Sequence, residues 1–284
     1  MIILDYNAIS LSNIITQRVD IKEDFIRHMI LNSIRMYRTK FKNEYGEIVI
    51  AADGANSWRR SYYPQYKAKR RTQRDDNFMD WGEAFRVLNL VREELKESFP
   101  YKVVHIEGCE ADDVIGTLVE NTMDFGNYEN VMIVSSDKDF LQLQKYEHVK
   151  QYSPMKKRVI TEPNARHYLA EHILKGDTAD GIPNVLSDDN CFVDGTRQTP
   201  LKQKKIDEIL RDLDDGELLY AASWYRNYCR NKKLIDLTET PEDLKEKIIY
   251  NYNDQDVWNN KGKVFPYLVE KECTLLLESV QEFI

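Results

Sequence analysis

Apolar residues along this chain gather in short unbroken runs, and the residues between the runs change period. Ile2-Ile3-Leu4, Ile48-Val49-Ile50-Ala51-Ala52, Val103-Val104-His105-Ile106 and Val131-Met132-Ile133-Val134 read as strands. Phe25, Met29, Ile30, Ile34, Tyr37 and Phe41 recur at helical spacing, which predicts an amphipathic helix of about 20 residues covering one face of the sheet. Trp81 to Phe99 predicts a second such helix, and Glu110-Ala111-Asp112-Asp113 opens a third. Val149 to Tyr152 and Arg158 to Thr161, on either side of Ser153-Pro154-Met155-Lys156-Lys157, form a strand pair joined by a loop.

From Glu162 the pattern turns helical and stays so. Pro163 sits at a helix start, where its missing N–H costs little. The helix from Ala165 to Leu174 stops at the turn Gly176 to Asn184, and residues 186–200 are polar and loop-like. Leu201 to Leu213, Glu217 to Asn231, Pro241 to Tyr250 and Phe265 to Ile284 are mostly helical, with their Leu, Tyr and Trp residues as core. The expected fold is α/β: a mostly parallel central sheet with helices on both faces over residues 1–160, then a helical region over residues 161–284.

A length of 284 residues suits one large α/β domain, alone or with a helical annex, and 42% hydrophobic residues can bury a sizeable core. Cys109, Cys191, Cys229 and Cys273 stand far apart with no C-x-x-C pair, which points away from a zinc knuckle or a disulfide framework and towards a reducing compartment. No apolar run approaches the roughly 18 residues that span a bilayer, and the sequence opens on a strand rather than a signal segment. A soluble cytoplasmic protein is expected.

The acids carry the first chemical signal. Asp5, Asp53, Glu110 with Asp112 and Asp113, and Asp137 with Asp139 each follow an apolar run. In open α/β sheets ligands bind outside the carboxyl ends of the strands, so these groups converge on one edge. A single strand-end Asp is readily explained as a helix cap. Acids at four strand ends are not, because clustered carboxylates disfavour one another's ionised form unless cations sit among them. A divalent metal site follows.

A net charge of −8 looks unpromising for a nucleic-acid binder, but the charges are segregated. Between Gly54 and Arg74 there is no acid, while Arg59, Arg60, Lys67, Lys69, Arg70, Arg71 and Arg74 are interleaved with Trp58, Tyr62, Tyr63 and Tyr66. Cations that track phosphates beside rings that stack on bases are the pairing used to hold single-stranded nucleic acid.

The motifs Asp5, Asp53, Trp58-Arg59-Arg60, Tyr66-Lys67-Ala68-Lys69-Arg70, Glu110-Ala111-Asp112-Asp113, Ser135-Ser136-Asp137-Lys138-Asp139 and Gly176-Asp177-Thr178-Ala179-Asp180-Gly181-Ile182-Pro183 resemble, in order, those of the structure-specific 5′ nucleases. That superfamily includes flap endonucleases and the 5′ exonuclease domain of bacterial DNA polymerase I. Lys150-Gln151-Tyr152-Ser153-Pro154-Met155 and Lys261-Gly262-Lys263 add a likeness to the RNase H group of T-even-type bacteriophages. The resemblance implies a PIN-like nuclease domain with a helical arch near residues 58–81 and a helix-three-turn-helix DNA grip near 161–212. It implies two Mg²⁺ ions, replaceable by Mn²⁺, and K⁺ at the helix-three-turn-helix. Asp5, Asp53, Glu110, Asp112 and Asp137 would hold the first ion, and Asp139, Asp177 and Asp180 the second. Asp113 is either an outer-sphere ligand or a first-turn acid favoured by the helix dipole.

By the same resemblance Arg59, Lys67 and Arg70 lie near the scissile phosphate as catalytic cations, Tyr66 stacks on the terminal base, Lys69, Arg71 and Arg74 attract phosphates, and Gly181 lies in the turn that meets the duplex. The implied activity is 5′ to 3′ exonuclease and flap endonuclease cleavage of RNA·DNA hybrids and of duplex or flapped DNA, removing lagging-strand RNA primers. The implied partners of this monomer are DNA with 5′ ends or flaps, a single-stranded-DNA-binding protein and a sliding clamp, in a host cytoplasm. Two departures stand out. Phage members carry a short extension before the first strand that is linked to clamp contact, whereas this sequence opens Met1-Ile2-Ile3, and Val185 to Pro200 is longer and more polar than the relatives' second glycine-rich turn.

Other readings use the same residues differently. A haloacid dehalogenase-type phosphatase also places acids after parallel strands, but it needs D-x-D after the first strand where Asp5-Tyr6-Asn7 stands. A nucleic-acid-binding module without turnover leaves the complete acid set unexplained.

Overall fold

Six strands form one sheet in the order β3-β2-β1-β4-β5-β6 in the computed structural model, which describes residues 1–17, 21–70, 79–124, 129–215 and 222–284. The strands are β1 (Ile2–Asp5), β2 (Ile48–Ala52), β3 (Lys102–His105), β4 (Val131–Val134), β5 (Val149–Ser153) and β6 (Arg158–Ile160). The first five are parallel, and β6 returns antiparallel on β5. Leu4 stands in register with Ile50 on one side and Val134 on the other. The chain steps outward from β1 through β2 to β3, then crosses over to β4. The reversal leaves a crevice at the carboxyl ends of β1 and β4, where open α/β sheets bind ligands.

Side chains alternate across a strand, and here both faces are covered, which is why the runs are continuously apolar. Ile2, Leu4, Ile50, Val103, Met132 and Val134 face one core with α1 (Tyr6–Gln17), α2 (Glu23–Tyr45) and the helix Trp81–Ser98. Ile3, Val49, Ala51, Val104 and Ile133 face the other with the helix Ala111–Asp124. Within α2, Ile30, Ile34, Tyr37 and Phe41 are buried as their spacing predicts, whereas Phe25 is exposed. Arg27 is buried on the same helix and bonds Glu94 at 2.9 Å, while the Tyr267 hydroxyl donates to Glu94 at 2.8 Å. That polar knot ties three elements together.

The helical region does not fold apart from the sheet. Helix Glu242–Asp254 supplies Leu244 and Ile248 to the second core, and Val264, Leu268, Leu276 and Phe283 return to the first. Leu174, Val185, Ile206, Ile209 and Trp224 form a small core within the helical region. The expected helix from Phe265 to Ile284 is broken into Val264–Glu270, Thr274–Leu277 and a 3-10 turn at Val280–Phe283, with Glu272 between them at φ +52°. Helix α1 starts directly after Asp5, where the apolar pattern predicted only a strand end.

A candidate metal centre at the carboxyl edge of the sheet

Strand ends deliver the acids to the crevice. Asp5 closes β1 and is buried; its Oδ1 accepts from the Ala8 N–H at 3.1 Å and its Oδ2 from the Ser135 hydroxyl at 2.8 Å. Asp53 follows β2 and behaves as a cap, accepting from Ala111 N–H at 2.8 Å and from Asn7 Nδ2 at 2.7 Å. Asp137 follows β4 and accepts from the Asp139 N–H at 2.9 Å. Gly54 makes this edge close, since a Cβ there would lie 2.0 Å from the Ile106 carbonyl oxygen.

The acids share one electrostatic field. Burial, and next the charge of Asp53, push the Asp5 carboxyl up to about 7. Burial, followed by Asp137, holds Asp112 well above the usual carboxylate range, with Glu110 and Asp5 adding to it and Lys67 opposing. Burial and Asp137 likewise push Asp139 up to about 7, with Asp177 and Asp180 contributing. Carboxylates this reluctant to ionise mark a place that a cation would relieve. Oxygen donors dominate the set, which suits hard divalent ions.

Basic side chains answer some of this charge. Lys67 Nζ donates to Glu110 Oε1 at 2.6 Å, Arg70 to Asp180 Oδ1 at 2.7 Å, and Lys138 pairs with Asp177 Oδ2 at 2.9 Å. Burial works against ionisation of Glu110, but Lys67 and Arg59 outweigh it and hold that carboxyl below its ordinary value. Lys67 adopts φ +54°, and its N–H donates to the Asp180 carbonyl at 2.8 Å. That bond fastens the basic segment to the Gly176–Asn184 turn, with Gly181 at φ +73° and its Cβ position 3.1 Å from the Gln65 carbonyl oxygen. The turn's own oxygens are engaged: Ile182 O accepts from Asp177 N–H, and Pro183 O from Arg230 and Asn231.

A second group lies beside the first. Asp139, His172 and Asp177 bring one ligand atom each within 4.8 Å of the others, the one such set among the described residues. His172 belongs to helix Ala165–Lys175, where the apolar pattern gave no sign of chemistry. Its one available signal was position, five residues ahead of Asp177 on the last helical turn before the Gly176 stop.

Three expected roles meet a different setting. Arg59, expected at the scissile phosphate, is buried and spends its guanidinium on Asp113 at 2.9 Å, on the Leu234 carbonyl at 2.9 Å and on Glu110 at 3.4 Å. Asp113 accepts from Arg59, Trp58 Nε1, Thr240 Oγ1 and the Glu110 N–H, so both of its oxygens are taken by protein donors. Tyr66, expected to stack on a base, is buried among Tyr63, Ile173, Ile182, Leu234 and Ile235, and its hydroxyl donates to Glu110 at 2.8 Å. Apolar burial of the ring and the Glu110 acceptor at its hydroxyl explain the difference.

Lys69 is exposed, with its ammonium 5.6 Å from the Phe192 ring. The two line a cavity of about 270 Å³ with Lys67, Arg70 and Gly181. Phe192 lies in the stretch read from sequence as a polar loop, yet Val185 and Cys191 of that stretch are buried. Arg71 and Arg74 lie outside the described residues, as does part of the expected arch.

Fold and site together define a nuclease built on a parallel sheet with an acidic carboxyl edge. The chain belongs to the 5′–3′ exonuclease family: residues 10–171 match the 5′-3′ exonuclease N-terminal resolvase-like domain, and residues 165–283 match the C-terminal domain of T4 RNase H. It is accordingly a hydrolase of phosphodiester bonds. It is 35% identical to the ribonuclease H of Enterobacteria phage T4 over 99% of this chain and 95% of that protein. It is 28% identical to a 5′-3′ exonuclease of Buchnera aphidicola over 55% of this chain and 53% of that one. Among solved structures, the phage T5 5′-exonuclease with zinc bound superposes with a TM-score of 0.64 at 16% identity, over 89% of this chain and 98% of its own. A T5 flap endonuclease complex with DNA and metal ions gives 0.64 at 17%, over 89% and 97%. Among the described residues no helix is long and apolar enough to cross a membrane.

Proposed function

We propose that this protein is a divalent-metal-dependent 5′ to 3′ exonuclease and flap endonuclease that acts on RNA·DNA hybrids and on duplex or flapped DNA, removing RNA primers from the lagging strand. The observation that carries the reading is the acid set: Asp5, Asp53, Asp112, Asp137 and Asp139 at one sheet edge, with Lys67 and Arg70 fixed on its rim. Full-length likeness to a phage ribonuclease H supports including RNA·DNA hybrids among the substrates.

Asp5, Asp112 and Asp137 would hold one Mg²⁺, with Asp53 and Glu110 acting through water because Asn7, Ala111, Lys67 and Tyr66 already engage them. Asp139, Asp177 and Asp180 would line the seat of the second. Such ions supply hydroxide at neutral pH and neutralise charge on the attacking and leaving oxygens. Lys67 and Arg70 stand on Glu110 and Asp180, ready to stabilise charge that develops on a bound phosphate. Lys69 and Phe192 offer a cation and a ring to the strand beside it. Arg59 and Asp113 keep the segment that bears Lys67 in place.

The test is cleavage of a 5′-labelled RNA primer annealed to DNA, with Mg²⁺ and then with EDTA. Short 5′ products that form only with metal are expected. Turnover of p-nitrophenyl phosphate without such products would replace the nuclease by a phosphatase, and substrate binding without turnover would leave only a binding module.

A further inference from the structure

Asp177 and Asp180 are poorly placed to serve as ligands as they stand. Asp177 Oδ1 accepts from the N–H groups of Ala179 and Asp180, and its Oδ2 faces Lys138 and His172 Nε2. Asp180 accepts from Arg70 on one oxygen, and its other oxygen lies 3.6 Å from the Lys67 ammonium and 3.2 Å from the Tyr66 hydroxyl, whose one proton goes to the nearer Glu110. Asp139 differs: its Oδ1 is buried with no hydrogen-bond partner, and so is His172 Nδ1. These two atoms face each other at 3.7 Å.

The two ring nitrogens of His172 have different neighbours. Its Nε2 lies 3.3 Å from Asp177 Oδ2, an oxygen that also meets the Lys138 ammonium at 2.9 Å. Its Nδ1 faces the Asp139 carboxyl oxygen. A gap of 3.7 Å is too wide for a hydrogen bond. Both atoms are buried without a partner, and a divalent ion between them would supply one to each. Bonds of roughly 2.0–2.2 Å to imidazole nitrogen and to carboxylate oxygen let one ion span such a gap.

We infer that His172 Nδ1 and Asp139 Oδ1 jointly ligate the second divalent ion, with Asp177 holding the imidazole through Nε2–H rather than binding the metal. The inference rests on the nuclease reading above and sharpens it, because it turns an all-oxygen site into a mixed nitrogen and oxygen one. The arrangement is a carboxylate–histidine–metal relay, in which the outer carboxylate fixes ring orientation and raises the basicity of the ligating nitrogen. An imidazole donor moves preference from Mg²⁺ towards Mn²⁺, Co²⁺ and Zn²⁺. This chain's second site therefore favours Mn²⁺, Co²⁺ or Zn²⁺ over Mg²⁺, while the first remains an all-oxygen site.

The deciding experiment is pulsed electron paramagnetic resonance of Mn²⁺ bound to the unaltered protein, with calorimetric titration of the same protein and of His172→Gln. A ¹⁴N hyperfine coupling from one imidazole is expected, from one of two bound ions. His172→Gln should remove that coupling and weaken one Mn²⁺ by about 10- to 100-fold while the other binds as before. Two Mn²⁺ ions with oxygen-only spectra, or unchanged affinities in a variant whose circular dichroism is native, would overturn the histidine ligand and leave the nuclease reading intact. A protein that binds no Mn²⁺ would overturn both. Because the spectrum is read on the unaltered chain, a variant that misfolds does not block the test.

Discussion

Arg59 and Asp113 meet at 2.9 Å with neither side chain open to solvent. Removing one partner of such a pair strands the other charge in the interior, which typically costs about 3–5 kcal/mol. Arg59→Ala should therefore lower the free energy of unfolding by roughly that amount, measured by chemical denaturation in the presence of EDTA. A variant with parental stability and a purely kinetic defect would return Arg59 to the phosphate-binding role read from the sequence.

Burial, and then the neighbouring acids led by Asp137, make the Asp112 carboxylate costly. Asp112→Asn should reduce cleavage on the order of 10³-fold, several kcal/mol of barrier, while DNA binding stays measurable. The same change should raise the melting temperature in EDTA, because a neutral amide avoids the cost of ionising a buried carboxyl among other acids. Unaltered turnover in Mg²⁺ would remove Asp112 from the site.

Lys67 faces Glu110 at 2.6 Å across the rim of the crevice. Lys67→Ala should cost about 10²–10³ in kcat, the usual loss for one preorganised electrostatic donor. It should also reduce the slope of log affinity against log salt by roughly one. Equal slopes for variant and parent would show that Lys67 touches no phosphate.

Stability should depend on pH and metal together. Asp5 and Asp139 hold protons up to about 7 in the folded protein, against about 3.9 for an unfolded aspartate. The folded state thus binds more protons between those values, so metal-free stability falls as pH rises from about 4 to about 7 and then levels off. Divalent ions bind the ionised carboxylates, so the rise in melting temperature on adding Mg²⁺ should be larger near pH 8 than near pH 5. A rise independent of pH would count against these acids as ligands.

Gly54 allows β2 and β3 to close at their carboxyl ends, its N–H donating to Cys109 O at 2.8 Å. With backbone oxygen 2.0 Å from the position of a Cβ, Gly54→Ala must push Ile106 away and pull Asp53 off Ala111. The expected outcome is a loss of several kcal/mol, at the severe end for point changes. Thermal melting compared with Gly262→Ala, where a Cβ meets nothing within 4 Å, gives the control.

The acidic edge was legible because a strand exposes its end at one fixed place, so an acid after each apolar run must lie there. The histidine was not. His172 occupies one position of an amphipathic helix whose spacing says only that it is partly buried, and its partner Asp139 lies 33 residues away in the chain, on the turn after β4. The burial of Arg59 and Tyr66 was hidden for a related reason: cations and rings in a basic run look alike whether they face a phosphate or a buried carboxylate.

Apolar runs and their period determined the parallel sheet, its covering helices and the edge that collects the acids, since burial of both faces leaves few other ways to arrange them. Folding in three dimensions decided which charges cancel one another. Asp113 met Arg59, Asp180 met Arg70, and Asp139 was left facing His172, because pairing depends on distances of a few ångströms across elements that the linear chain keeps far apart.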